Sequence, residues 1–201
     1  MNDLQTFDLA LLGEFFTAAT QHASLALSKW TSGRVTLSLD EVREAPLEAV
    51  AAELQISDDL LTMVVLGVRG DLGQLVLAFD DESGRTLAAT LLGCEVSDDP
   101  EWSELDQSAV METGNILASA YLNELTRLTC QELVPTPPYF VQDFGTSVLD
   151  QVLAAQAMVT DRVLICQTKF EFNQQQINWS LFFVPGEELL QMLLAAVRET
   201  V

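Results

Sequence analysis

Apolar residues recur at helical spacing from Leu4 to Lys29, with Leu9, Leu12, Phe15, Ala19 and Leu27 among them. The pattern predicts a long helix, and Gly33 just beyond it is a stop signal. Arg34 to Asp40 alternates apolar and polar residues as a strand does. Pro46 opens a short helix running to Leu54, because proline is tolerated in a first turn. Leu60 to Gly70 and Gly73 to Asp80 read as two strands, with Gly70-Asp71-Leu72-Gly73 as the turn. Glu82 to Leu92 is a predicted helix closed by Gly93.

The order then repeats. Asp98-Asp99-Pro100 makes a break, and Glu104 to Leu128 predicts a second long helix with Asp98, Asp99 or Ser103 available near its start. Glu132 to Phe144 is extended, but Pro135, Pro137 and Pro138 exclude a regular central strand there. Thr146 to Met158 reads as a helix. Arg162 to Phe172 and Gln175 to Val184 read as strands, rich in β-branched and aromatic residues. Glu187 to Arg198 is a last helix. Each half is thus long helix, extended segment, strand pair and short helix, over residues 4–93 and 100–198, with a period of about 98 residues judged from Glu14 and Glu112. One domain of two similar halves is expected, related by a pseudo-twofold. Its fold class is α+β: one mainly antiparallel sheet with the two long helices packed on one face.

Composition narrows the partners. The 201 residues carry 30 acidic and 9 basic side chains, a net charge of −21. So few cations cannot neutralise a phosphate backbone, which excludes nucleic acid, and an anionic membrane surface would repel the chain. Cys94, Cys130 and Cys166 stand 36 residues apart and His22 is the only histidine, so no metal site is expected. Sparse cysteines suit a reducing cytosol, with the thiols buried as small apolar groups. No basic, apolar leader opens the chain, and no apolar run is long enough to span a bilayer. A cytoplasmic monomer is expected.

The chemistry lies on the second long helix. At about 100° per residue, Ser108, Glu112, Asn115 and Ser119 fall within about 60° of one another. Val110, Leu117, Tyr121 and Leu125 lie on the opposite side. A carboxylate and a carboxamide one turn apart engage a partner together: the Glu pairs with a cation, and the amide donates to and accepts from a water. Such a stripe suits hydrolysis of a phosphoryl group carried by another protein.

This helix resembles the signature of the CheC/CheX/FliY phosphatases of bacterial chemotaxis: an Asp or Ser, three residues, Glu, two residues, Asn, and a Pro about 22 residues later. Here these are Ser108, Glu112, Asn115 and Pro138, with Gly-Asn-Ile-Leu-Ala-Ser-Ala-Tyr-Leu-Asn around the Asn in the CheC form. The likeness extends from about Leu9 to Leu194. CheC-type proteins carry a second copy of the motif in the first helix. Aligned through Gln21-His22-Ala-Ser-Leu-Ala-Leu-Ser28, Glu14 takes the Glu position, but Thr17 replaces the Asn and Ala10 the Asp or Ser. Phe16 and Ala19 replace glycines. The first site is expected to be degenerate, with Phe15 and Phe16 closing it over.

The resemblance implies an aspartyl-phosphate phosphatase acting on a CheY-like response regulator. Asn115 would orient the attacking water and Glu112 would pair with a Lys beside the phosphorylation site. Ser108 would orient Glu112 or touch the partner, and Pro138 would shape the segment after the helix. The phosphatase brings no cofactor of its own; Mg²⁺ is expected in the response regulator. The alternative is a weakly catalytic or non-catalytic binding module for phosphorylated CheY or for the receptor deamidase CheD. A third reading, a structural part of a flagellar switch like the FliM middle domain, is opposed by retention of Glu112 and Asn115. No FliY-like extension follows the last predicted helix, which favours a free-standing CheC-type protein.

Overall fold

Both long helices form where the periodicity places them. The computed structural model describes residues 6–54, 56, 59–97, 99–158, 161–173 and 175–199. Helix α1 spans Thr6–Trp30 and strand β1 Val35–Pro46; a 3-10 turn, Leu47–Ala49, leads into α2, Val50–Glu53. Then come β2 Leu60–Val68, β3 Gly73–Phe79 and α3 Asp81–Leu92. The second series is α4 Glu104–Thr129, β4 Tyr139–Phe144, α5 Gly145–Ala157, β5 Arg162–Phe172, β6 Gln175–Pro185 and α6 Glu187–Glu199.

The six strands make one sheet in the order β1-β5-β6-β3-β2-β4, and every neighbouring pair is antiparallel. β3 and β6 meet at the centre. β1 lies beside β5 and β4 beside β2, so strands from the two parts of the chain interleave at both edges. The proline-flanked β4 takes an edge, where missing amide donors cost no ladder bonds. β1 continues six residues past the predicted end at Asp40. The register slips between Leu39 and Glu41, and such a bulge breaks the alternation on which the prediction rested.

Each face of the sheet has a helical cover. On one, α1, α3, α4 and α6 bury Val64, Leu66, Leu75, Leu77, Leu181 and Phe183. On the other, α2 and α5 cover Met63, Val65, Val76, Ala78, Phe182 and Val184. Coverage on both sides explains why β2 and β3 read as continuous apolar runs. Gly114 lets α4 lie directly on the sheet: a Cβ there would come within 2.6 Å of Val64 Cγ1. The two long helices run antiparallel. Trp30 at the end of α1 reaches Thr113 early in α4, while Phe16 stacks on Tyr121 past the middle of α4, 6.3 Å between centroids.

The segment before α4 is tied down. Of the candidate caps, Ser103 performs the role, its Oγ accepting from the Asp106 N–H at 3.1 Å; Asp98 lies outside the described residues. Arg85 on α3 donates to the carbonyls of Asp99 and Pro100, at 2.8 and 2.7 Å, and lies over the Trp102 ring. Trp102 donates to Asp81 Oδ1 at 2.7 Å. Two of the three cysteines depart from expectation: only Cys166 is buried, and Cys94 and Cys130 are exposed. Both sit just past helix ends, Cys130 itself in the left-handed C-cap of α4, where backbone leaves the core.

Candidate active site

α4 buries Val110, Gly114, Leu117, Tyr121 and Leu125 against the sheet and its neighbours. The opposite face is left to water, and there Ser108 and Glu112 are exposed and Asn115 half-buried. Asn115 Nδ2 donates to Glu112 Oε2 at 3.4 Å. That length marks a weak bond, so the pair is pre-arranged yet readily released to a partner. Among the described residues no other side chain engages either group. Ser108 does not orient Glu112: its Oγ donates to the Glu104 carbonyl of its own helix at 2.7 Å. Pro138 is half-buried and immediately precedes β4. The preceding turn is pinned by Thr136, whose Oγ1 accepts from the Gly67 N–H at 2.9 Å.

The stripe is a protrusion on a helix face. A cavity of about 860 Å³ is lined by Arg43, Gln167, Lys169 and Ser180 among others, and none of the stripe residues lines it. Its two cations are already engaged, Lys169 by Asp40 at 2.6 Å and Arg43 by Glu41 and Glu53. Groups on an open helix face are accessible to a pocket that a partner supplies. Among the described residues no group of three or more His, Cys, Asp or Glu side chains is arranged to hold a metal ion.

The counterpart on α1 is differently built. Ala10, Glu14 and Thr17 are exposed, and Thr17 Oγ1 donates to the Gly13 carbonyl at 2.7 Å, which uses its one proton within the helix. Phe15 and Phe16 do not close this surface over. They face the core, with Phe16 fully buried between Tyr121 and Phe183. Their burial follows the apolar side of α1, and Glu14 and Thr17 border an open groove of about 470 Å³ beside the β1 bulge.

Sequence reasoning missed the buried carboxylates Asp8, held by Arg198 at 2.9 Å, and Glu124. Glu124 on α4 is 3% exposed and is held by Arg127, with Nη2–Oε1 at 2.5 Å, and by His22 of α1 at 3.5 Å. The hydrogen bonds from Arg127 hold its pKa below the ordinary carboxylate value. The i,i+3 spacing of Glu124 and Arg127 was the available signal. Burial pushes Tyr121 and Cys166 well up, so neither ionises near neutral pH.

No family model matches the chain. The CheY-P phosphatase CheC of Bacillus subtilis is 21% identical over 201 residues, 98% of this chain and 96% of that relative. The crystal structure of Thermotoga maritima FliY shares the fold with a TM-score of 0.75 at 19% identity, covering 99% of this chain and 100% of that one. A chain of the Borrelia burgdorferi CheX-CheY-BeF3-Mg²⁺ complex matches with a TM-score of 0.52 at 20% identity, covering 87% of this chain and 97% of that one.

Proposed function

We propose, from the premise that the chain belongs to the CheC/CheX/FliY family, that it hydrolyses the aspartyl phosphate of a CheY-like response regulator through Glu112 and Asn115. The observation that carries this reading is the pair itself: a carboxylate and a carboxamide 3.4 Å apart, presented to solvent by a 26-residue helix packed on the sheet. The full-length likeness to a CheY-P phosphatase supports it. So does the fold shared with a chain of a CheX-CheY-BeF3-Mg²⁺ complex.

A carboxamide has no basic site near neutral pH, so Asn115 acts by position. Its amide holds a water in line with phosphorus, accepting from it through Oδ1 and directing a lone pair inward. Water oxygen bonds to phosphorus as the bond to the aspartyl oxygen breaks, giving a free carboxylate and inorganic phosphate. Glu112 pairs with a Lys of the partner and fixes the depth of entry. Phosphoryl transfer depends on alignment and electrostatics more than on proton removal, so positioning suffices. Mg²⁺ belongs to the partner in this scheme.

The test is phosphate release from phosphorylated CheY with Mg²⁺, with wild type and with Asn115→Ala. Acceleration that disappears in the variant supports the reading. Binding without acceleration replaces the enzyme with a docking module. Cytoplasmic location, a monomeric state and CheD as a second partner belong to the same proposal, and sedimentation with and without CheD tests the last two. Among the described residues no helix is long and apolar enough to cross a membrane.

A further inference from the structure

The candidate site has an apolar border that the fold does not require. Of the three tryptophans, Trp102 and Trp179 are buried, while Trp30 is 41% exposed at the last residue of α1. Its orientation is fixed: Nε1 donates to Thr113 Oγ1 at 3.3 Å, and Thr113 in turn donates to the Ala109 carbonyl at 3.0 Å. Thr113 directly follows Glu112. The indole N–H is thus satisfied against α4, and ring surface is left open beside the stripe. Leu105 is 62% exposed. It lies seven residues before Glu112, within about 20° of it around the helix and about 10 Å along the axis.

Single exposed apolar side chains are ordinary. These two flank one polar pair, on the flank and at the N-terminal end, and the larger is held by a tertiary hydrogen bond. The turn after α1 does not need the ring: Thr31 closes it, donating to the Leu27 carbonyl at 2.8 Å and accepting from the Val35 N–H at 3.1 Å.

Charge identifies what the border is for. A chain of net charge −21 has to approach a partner site that carries a negatively charged phosphoryl group. Long-range attraction between the two is weak or adverse, and beyond the Glu112 contact the binding energy has to come from desolvated apolar surface. We propose that Trp30 and Leu105 form the docking rim for the receiver domain of the phosphorylated regulator, meeting apolar surface beside its phosphorylation pocket. This rests on the function proposed above.

The experiment measures KM and kcat for phosphorylated CheY, and calorimetric binding of CheY activated with beryllofluoride and Mg²⁺. Wild type, Trp30→Ala, Trp30→Phe, Leu105→Ala and, as a control at a distant exposed apolar residue, Met158→Ala are compared. Trp30→Ala raises KM and Kd roughly tenfold, as loss of an interface aromatic does. Its kcat stays at the wild-type value. Leu105→Ala, at a residue 62% exposed, shifts KM in the same direction. Trp30→Phe retains the ring and most of the affinity, and Met158→Ala matches wild type. Raising the salt leaves the ratio of the Trp30→Ala Kd to the wild-type Kd unchanged, because salt screens the charges common to both and spares apolar contact. Wild-type KM in both Trp30→Ala and Leu105→Ala overturns the rim while leaving the phosphatase in place. So does a Trp30→Ala protein with lowered Tm and kcat at unchanged KM, which would make the ring structural. A wild type that neither binds nor hydrolyses activated CheY overturns both proposals.

Discussion

Helices α1 and α4 both pack on one sheet face, yet only α4 carries a Glu/Asn pair. With a 98-residue offset, Glu14 corresponds to Glu112, Thr17 to Asn115 and Phe16 to Gly114. The carboxylate is common to both, so it is not what separates them. One difference is reach: the Thr17 hydroxyl is turned back onto the Gly13 carbonyl, whereas the Asn115 amide extends to Glu112. The other is clearance. Gly114 brings α4 onto Val64 with no room for a Cβ. α1 is instead spaced by a fully buried ring between Tyr121 and Phe183. The proposed site thus differs from its counterpart in the glycine under the helix as well as in the amide on top of it.

Removing the ring is the harshest test of that contrast. Phe16→Ala leaves a cavity at the junction of α1, α4 and β6 and costs about 3–5 kcal/mol of stability, read from urea unfolding. If Phe16 were a loose filler, the cost would fall near that of a surface change. Asn115→Ala comes next. Losing the water-positioning amide lowers the rate on the order of 100-fold, while Tm stays close to the wild-type value because the side chain's hydrogen bond, to Glu112, is long and at the surface. Thr17→Ala in the same assay changes nothing. Equal losses in the two variants would erase the asymmetry between the helices.

Gly114→Ala sharpens the point about clearance. The new methyl meets Val64 Cγ1 at 2.6 Å, and relief by shifting α4 costs about 1–3 kcal/mol. The shift also moves Asn115, so kcat falls by more than the stability loss alone explains. Thermal unfolding alongside single-turnover dephosphorylation separates the two effects.

A smaller effect tests how α4 holds its buried carboxylate. The Glu124 pKa is depressed in the fold, chiefly by Arg127. The stabilisation is therefore present above the unfolded carboxyl pKa and is lost as pH falls through the lower folded one. Arg127→Met lowers the urea midpoint at pH 7, and the gap to wild type narrows on acidification below the ordinary Glu range. A gap that widens in acid would reverse the assignment.

The long helices and the stripe on α4 were legible because each follows a single period, and the hairpin of β2 and β3 because two short apolar runs flank a glycine-bounded turn. What escaped depends on contacts between elements. The β1 extension past Asp40 is hidden by a bulge. The burial of Glu124 depends on His22, 102 positions earlier in the chain. The direction of Phe16 was available from the apolar side of α1, but the expectation of a closed site overrode it. Of the two roles expected of Ser108, orienting Glu112 is not seen for a physical reason: a helical serine finds the carbonyl one turn back before it finds a neighbouring carboxylate.

The finest test adds the missing group to the weaker helix. Thr17→Asn, placed in the Asn115→Ala background, restores the amide beside Glu14 without changing Phe16. If α1 carried the same geometry as α4, activity would return to the wild-type level. The buried ring under α1 predicts otherwise: a displacement of about 1 Å leaves the positioned water out of line and holds recovery to about one-hundredth of wild type. Adding Phe16→Gly would remove the spacer, but it also removes a core ring, so the double change is read on protein shown to be folded at the assay temperature. Full recovery from Thr17→Asn alone would mean that the amide decides the site and the glycine is incidental. Recovery near the background level assigns that role to the close approach at Gly114.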